Sequence, residues 1–531
     1  MWHKCVYVYL IILILGSKST LADTRSLDFS NSNLRSSSTA NINLATQKIE
    51  PPKHLLNWTN PSGTTANMEL NFGDGSDGSF SPETYSQFGT VTDRSPGPGK
   101  IISINLSAKS TLNLSYFELA SNDILQPEGN SPFIIRSIGA IKIYGIINCS
   151  GDDGQNSTAG ALSTGGISRC GGAAGGNTAT AGSSPSGQPA GMAGGTGAAA
   201  GNAGGGGGSR STASASNGAG AVAAGTSQPD CGFSSNTGGA GGGGGITNAG
   251  TSGAGGGGGG GSIAVYGIHN IEFIGAGSIL VNGGNGGTSS NGAGGGGGGG
   301  GGSVQIFAGN EIITSASTAT YIAEAAGGTN SASPVGQRGG NGADGRTWAV
   351  DSLGSIGGIN PDPLNCTSAG SAGAFGRQAE GDVRYKTGNY EFITKTIDLN
   401  NSHTVINNIS QTLENDPASG TITTTANGSR NGFSSDSTGL LNITSPFSFN
   451  GSRYIYINFN LNNTSATTPT RISGLQIDYT PQAASEFDYQ AQACGSINSN
   501  NKPNISIGLS ILLLLIPVFF TFSLKKYYHR K

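Results

Sequence analysis

Glycine sets the terms for this chain. Of 531 residues 93 are Gly, and they concentrate in Gly/Ala/Ser tracts at about 155–260 and 284–302. Ordinary proteins are about 7% Gly and about 25% charged, whereas charged residues make up 11% here. Glycine has no side chain to bury and loses the most backbone freedom on ordering. Such tracts are either mobile loops on a scaffold or extended chains packed backbone to backbone. Packed chains should show Gly at every third position, and these show irregular runs. The expectation is therefore mobile loops, with protease cutting 155–260 first.

Between the tracts lies a repeat. The stretch from Gly261 to Gly283 returns from Gly302 to Gly327, offset by 41 residues from Ser262 to Ser303. A looser copy runs from Phe133 to Gly151. Each copy has three short runs rich in Ile and Val, then a glycine-rich excursion. Units that cannot bury an apolar face alone must stack. The expectation for 71–380 is a parallel β-solenoid-like region with glycine-rich insertions. Repeat and composition together resemble those of glycine-rich bacterial surface and exported proteins.

From 381 the composition returns to normal. Ile455, Ile457, Phe459 and Leu461 alternate with Tyr454, Tyr456, Asn458 and Asn460, the period of a half-buried strand. Asn389–Leu399, Arg453–Leu461 and Thr468–Tyr479 together resemble jelly-roll modules of the discoidin or galactose-binding type. The resemblance implies a β-sandwich over 381–485. Asn400 stands where that family has Gly, and the Trp that follows is missing, so no ligand site is carried over. Tyr390, Tyr454 and Tyr456 are the candidate aromatic platform for a sugar.

The ends point to export. A basic start, an apolar run from Val6 to Leu15 and small residues up to Ala22 form a signal-peptide pattern over 1–22. Residues 23–70, rich in Ser and Asn, read as a linker. Residues 505–524 are apolar and long enough to span a bilayer, which takes roughly 20 residues. Lys525, Lys526, Arg530 and Lys531 follow in a basic tail over 525–531, which favours a cytoplasmic C-terminus. Cys494 lies in the linker 486–504. A Cys motif, apolar span and basic tip resemble the tripartite sorting tails of bacterial surface proteins, which implies cleavage near Cys494. A plain transmembrane anchor is the other reading.

The net charge of −3 and the lack of clustered cations exclude a nucleic-acid partner. Cys149, Cys170, Cys231 and Cys366 suit two disulfides in an oxidising compartment, in any of three connectivities. No catalytic residue is assigned: Glu272, Glu311 and Glu324 are scattered, and no nucleophile or metal-ligand motif occurs. No cofactor is required. Calcium alone suits the glycine-rich turns at Asp74, Asp77, Asp152 and Asp153, although Asp-Gly is also an ordinary turn signal. Taken together these features predict an all-β, exported, membrane- or envelope-anchored surface protein, structural or adhesive. Its partners would be the membrane and surface glycans or other cells. The alternatives are a carbohydrate-binding protein acting through the jelly roll, and a surface polysaccharide-degrading enzyme.

Overall fold

The computed structural model describes residues 23–157, 161–178, 241–245, 253–289, 293–330, 339–355, 359–360, 380–400, 404–414, 420–430, 432–433, 441–442 and 450–481, apart from positions 28, 30–34, 39, 60–64 and 343. Ala22, Cys231, Cys366, Cys494, the segment 505–524, Lys525, Lys526, Arg530 and Lys531 lie outside the described residues. Among those described, no helix is long and apolar enough to cross a membrane.

The chain is all-β. Between Ser79 and Asn360 it winds through three sheets that are parallel except for the edge strands Thr90–Asp93 and Gly354–Ser355, and each of the four coils from Thr111 to Glu324 gives one short strand to each sheet. The repeat sets the register: Ser262 pairs with Ser303, and Phe133 with Ile263. Alternating residues then stack into buried ladders. One runs Leu112, Ile135, Val265, Ile306, Ala349. A second runs Phe80, Phe117, Ile141, Ile271, Ile312, and a third Ile102, Leu125, Ile147, Ile279, Ala323. One core encloses all three ladders. The first coil is closed by the short helix Tyr85–Phe88, with Phe80 stacked on Phe117 at 4.9 Å.

Every glycine excursion leaves after a third-sheet strand and returns at a first-sheet strand: Asn148 to Ser262, Leu280 to Ser303, Glu324 to Arg346. The excursions therefore meet side by side at one corner. Their described parts are packed chains, contrary to the expectation of mobile loops. Residues 254–262 bond to three neighbours in strict rotation. The N–H groups of Ala254, Gly257 and Gly260 donate to the carbonyls of Gly294, Gly297 and Gly300 at 3.1, 2.9 and 2.9 Å. Those of Gly255, Gly258 and Gly261 reach Gln155, Asp152 and Cys149 at 2.9, 2.9 and 2.7 Å. Those of Gly256, Gly259 and Ser262 reach Gly176, Ala173 and Cys170 at 2.8, 2.7 and 2.7 Å. A threefold rotation without internal hydrogen bonds is the geometry of a polyproline II helix.

This geometry explains the irregular runs. Gly at every third position is required only where one face of such a helix meets a neighbour. Gly151 and Gly154 on an outer chain follow that rule, each turning its missing Cβ toward a carbonyl 2.2 or 2.1 Å away. Residues 283–288, with two glycines in three, have two covered faces and expose Asn285 and Thr288. Residues 255–261 and 294–302 are glycine throughout because they are buried on every side. The exposed third position is not idle. Asp153, Asn156, Asn282 and Asn285 accept the backbone N–H of Asn285, Thr288, Ala326 and Thr329 at 2.6, 2.8, 2.8 and 2.9 Å. A Cys149–Cys170 disulfide fastens the bundle's root.

The stretch 23–70 is not a linker. Strands Asp23–Leu27, Arg35–Ser38, Asn41–Asn43 and Lys48–Glu50 join two antiparallel sheets built mainly from 388–481. Phe29, Ile42 and Ile49 enter the core that those sheets share with Phe392, Ile457, Phe459 and Ile477. Strand Lys53–Thr59 pairs with Glu380–Tyr385 and with Thr65–Glu69 in a third antiparallel sheet. Leu70, Phe72, Ile138, Ile268, Trp348 and Val383 form a separate core where the antiparallel part meets the coils.

His269 lies near this joint. Burial, followed by the Lys53 charge, holds its imidazole below the ordinary 6.5. His54 is shifted the same way, by burial and then Lys386. Below 6.5 the unfolded chain therefore binds more protons than the folded one. The stability these groups confer above 6.5 is lost as pH falls through their folded values. Thermal melting followed from about pH 8 to about pH 5 should show that loss, and His269→Gln should flatten the curve.

Candidate functional site

The tyrosine platform is brought together only in part. Strand Gly388–Thr394 pairs with Tyr454–Asn463 so that Tyr390 lies opposite Leu461. Opposed residues share a face, so Tyr390 points with Leu461 toward the core, against which it packs. Tyr454 and Tyr456 are on the other face, several residues along the strand. Tyr390 is therefore removed from the platform, and its hydroxyl donates to the Thr387 carbonyl at 2.9 Å.

Tyr454 and Tyr456 remain as neighbours on the outer face, and other groups join them. The ring of Phe433 lies 4.9 Å from that of Tyr456. Phe433 has φ 68°, a conformation costly for a bulky side chain. Its N–H donates to the Ser429 hydroxyl at 2.7 Å, which holds the turn. Asn427 donates through Nδ2 to the Tyr456 hydroxyl at 3.0 Å. Arg453 lies 5.0 Å from the Tyr454 ring centre and grips Asp398 with two hydrogen bonds of 2.9 and 2.8 Å. Those bonds hold the Asp398 carboxyl below its usual range, so it stays an acceptor at neutral pH. The exposed Thr421, Thr423, Asn460 and Asn462 extend the same face.

Aromatic rings flanked by an amide and a carboxylate–guanidinium pair suit a sugar, whose C–H faces stack on rings while its hydroxyls hydrogen-bond. Sequence reasoning missed Phe433, Asn427, Asp398 and Arg453. Arg453 and Asp398 belong to the motifs that mark the jelly-roll resemblance. Phe433 comes from a distant turn that no local pattern links to Tyr456.

The turn aspartates have structural work. Asp77 accepts from Asn113 N–H at 2.7 Å and pairs with Lys109, closing the edge of the first coils. Asp74 caps Ser76 N–H at 3.0 Å, and Asp152 is held by Arg169 in a two-pronged ion pair. Among the described residues no group of three His, Cys, Asp or Glu converges as a metal site would. A pocket of about 480 Å³ lies beside the first coil, lined by Tyr85, Val91, Asp93, Lys100 and Asp123. Lys100 and Asp93 pair with each other there, and Asp123 accepts the Lys100 N–H at 2.8 Å.

Comparison with family models, with curated proteins and with solved structures finds no match.

Proposed function

We propose that this is an exported, membrane- or envelope-anchored cell-surface protein with a structural or adhesive role. In this reading 71–380 is a β-solenoid, the sandwich is a jelly roll, and 505–524 spans the membrane. The observation that carries it is the glycine bundle, whose N–H groups bond to neighbours on three sides and whose root is tied by a disulfide. Such a body resists bending. Disulfides persist in oxidising compartments, which agrees with export. Strand Asp23–Leu27 pairs with Leu475–Tyr479, so a chain cut after Ala22 would start beside the strand that leads to the anchor. Labelling of intact cells with a membrane-impermeant amine reagent tests the reading. Labelled protein is expected, and label appearing only after lysis would refute it.

The patch at Tyr454, Tyr456 and Phe433 favours glycan binding as the adhesive chemistry. Tyr456→Ala should weaken capture on a glycan array about tenfold, equivalent to about 1.4 kcal/mol. Tyr390→Ala should leave capture by the folded fraction unchanged, because Tyr390 faces the core. Equal capture by wild type and Tyr456→Ala would remove the patch from consideration.

A further inference from the structure

We propose that the side chains of Lys53 and Asn43 become joined by an amide bond which the chain forms by itself, with Glu50 carrying the proton. The inference is independent of the surface role and rests on a polar cluster at the joint between sandwich and coils.

All three side chains are buried, with exposures of 2% for Asn43, 1% for Glu50 and 3% for Lys53. One oxygen of Glu50 lies close to both of the others. Oε1 accepts from Asn43 Nδ2 at 3.2 Å and lies 3.9 Å from Lys53 Nζ. The other oxygen, Oε2, accepts from the Tyr385 hydroxyl at 3.2 Å and lies 3.4 Å from Arg471 Nε. Glu50 is thus anchored on one side and presents its second oxygen to both an amine and an amide.

Lys53 Nζ donates to two backbone carbonyls, Ile268 at 3.3 Å and Gly309 at 2.5 Å. A neutral amine has two N–H groups for these acceptors and a lone pair left over. The Tyr385 ring lies 4.5 Å away on another side. Burial, opposed by Glu50, pulls the Lys53 pKa below its ordinary value, which raises the neutral fraction. At the electrophile, Thr46 N–H donates to Asn43 Oδ1 at 3.2 Å. That donor sits on the oxygen where negative charge gathers when the amide carbon is attacked.

The reaction balances without an oxidant. Lys53 Nζ attacks Cγ of Asn43, and an N–C bond forms. Glu50 Oε1 takes a proton from the attacking nitrogen and passes it to Nδ2. The Cγ–Nδ2 bond breaks, ammonia leaves, and the carboxylate is restored. Holding the three groups together in a closed site supplies the proximity that the uncatalysed reaction lacks. The product ties the hairpin of Asn41–Asn43 and Lys48–Glu50 to the strand that contacts the coils.

Tryptic peptide mapping of the purified full-length protein decides the matter. The expected result is no cleavage after Lys53, with the Asn43 peptide recovered covalently joined to the Lys53 peptide and one ammonia lighter. Glu50→Gln should give the two peptides separately at unmodified mass, with the Cys149–Cys170 bond intact as a check on folding. Wild-type protein yielding Asn43 and Lys53 in separate unmodified peptides overturns the proposal, whether or not the variant folds. A cross-link persisting in Glu50→Gln overturns the role given to Glu50.

Discussion

Gly166→Ala should destabilise the protein by about 3 kcal/mol, while Ile167→Ala, one residue on, should change stability by less than about 0.5 kcal/mol. The smaller chemical change has the larger effect because of where each residue points. A Cβ at position 166 would lie 1.9 Å from the Asp152 carbonyl oxygen and 2.6 Å from Gly258 N, both backbone atoms that no rotamer change can move aside. Gly166 also donates to Gly256 O at 2.8 Å and accepts from Gly175 N at 2.9 Å, so displacing it disturbs three chains. Ile167 is 67% exposed, and truncating it leaves its backbone bonds in place. Chemical denaturation of both variants checks the contrast. If Gly166→Ala proved as harmless as Ile167→Ala, the chains would not be packed as described.

A fragment of residues 381–485 should fail to fold alone and should fold when 23–70 is supplied with it. The sandwich lacks four strands without that stretch. Its C-terminal strand Arg471–Pro481 would lose Asp23–Leu27 from Leu475–Tyr479, leaving edge groups unpaired. The core would lose Phe29, Ile42 and Ile49, which are at most 2% exposed. Removing a large buried apolar side chain costs about 2–5 kcal/mol, and three such losses exceed the stability of about 5–15 kcal/mol typical of a whole domain once the broken strand pairs are added. Circular dichroism and near-ultraviolet spectra of the two fragments distinguish the outcomes. A well-folded 381–485 would show that the amino-terminal strands merely decorate the sandwich.

What the sequence revealed and what it hid follow from the same physics. The Ser262–Ser303 offset was legible because stacked parallel coils need like residues in register, down to the 2.7 Å bond between those two buried hydroxyls. Ile455, Ile457, Phe459 and Leu461 were legible because one face of their strand is fully buried. The strands within 23–70 were not, since they are three to seven residues long and their apolar residues are too sparse to show a period. The glycine helices were hidden by completeness: a chain covered on all sides is glycine at every position, and the period of three disappears. Tyr390 was misplaced because its face depends on pairing register with Leu461, which no local pattern reveals. Asn43, Glu50 and Lys53 looked like ordinary linker polarity. Only the hairpin and the joint bring them together.

The central claim is that the described parts of the glycine tracts are ordered, hydrogen-bonded parts of the structure. Amide hydrogen exchange read by mass spectrometry on peptides covering 253–261 and 294–302 tests it most directly. The account predicts protection comparable to that of the neighbouring strand Ser262–Gly267, because the N–H groups of Gly255 to Gly261 all donate to backbone carbonyls of neighbouring chains. Exchange at the rate of an unstructured chain in those peptides, with the strand still protected, would contradict it.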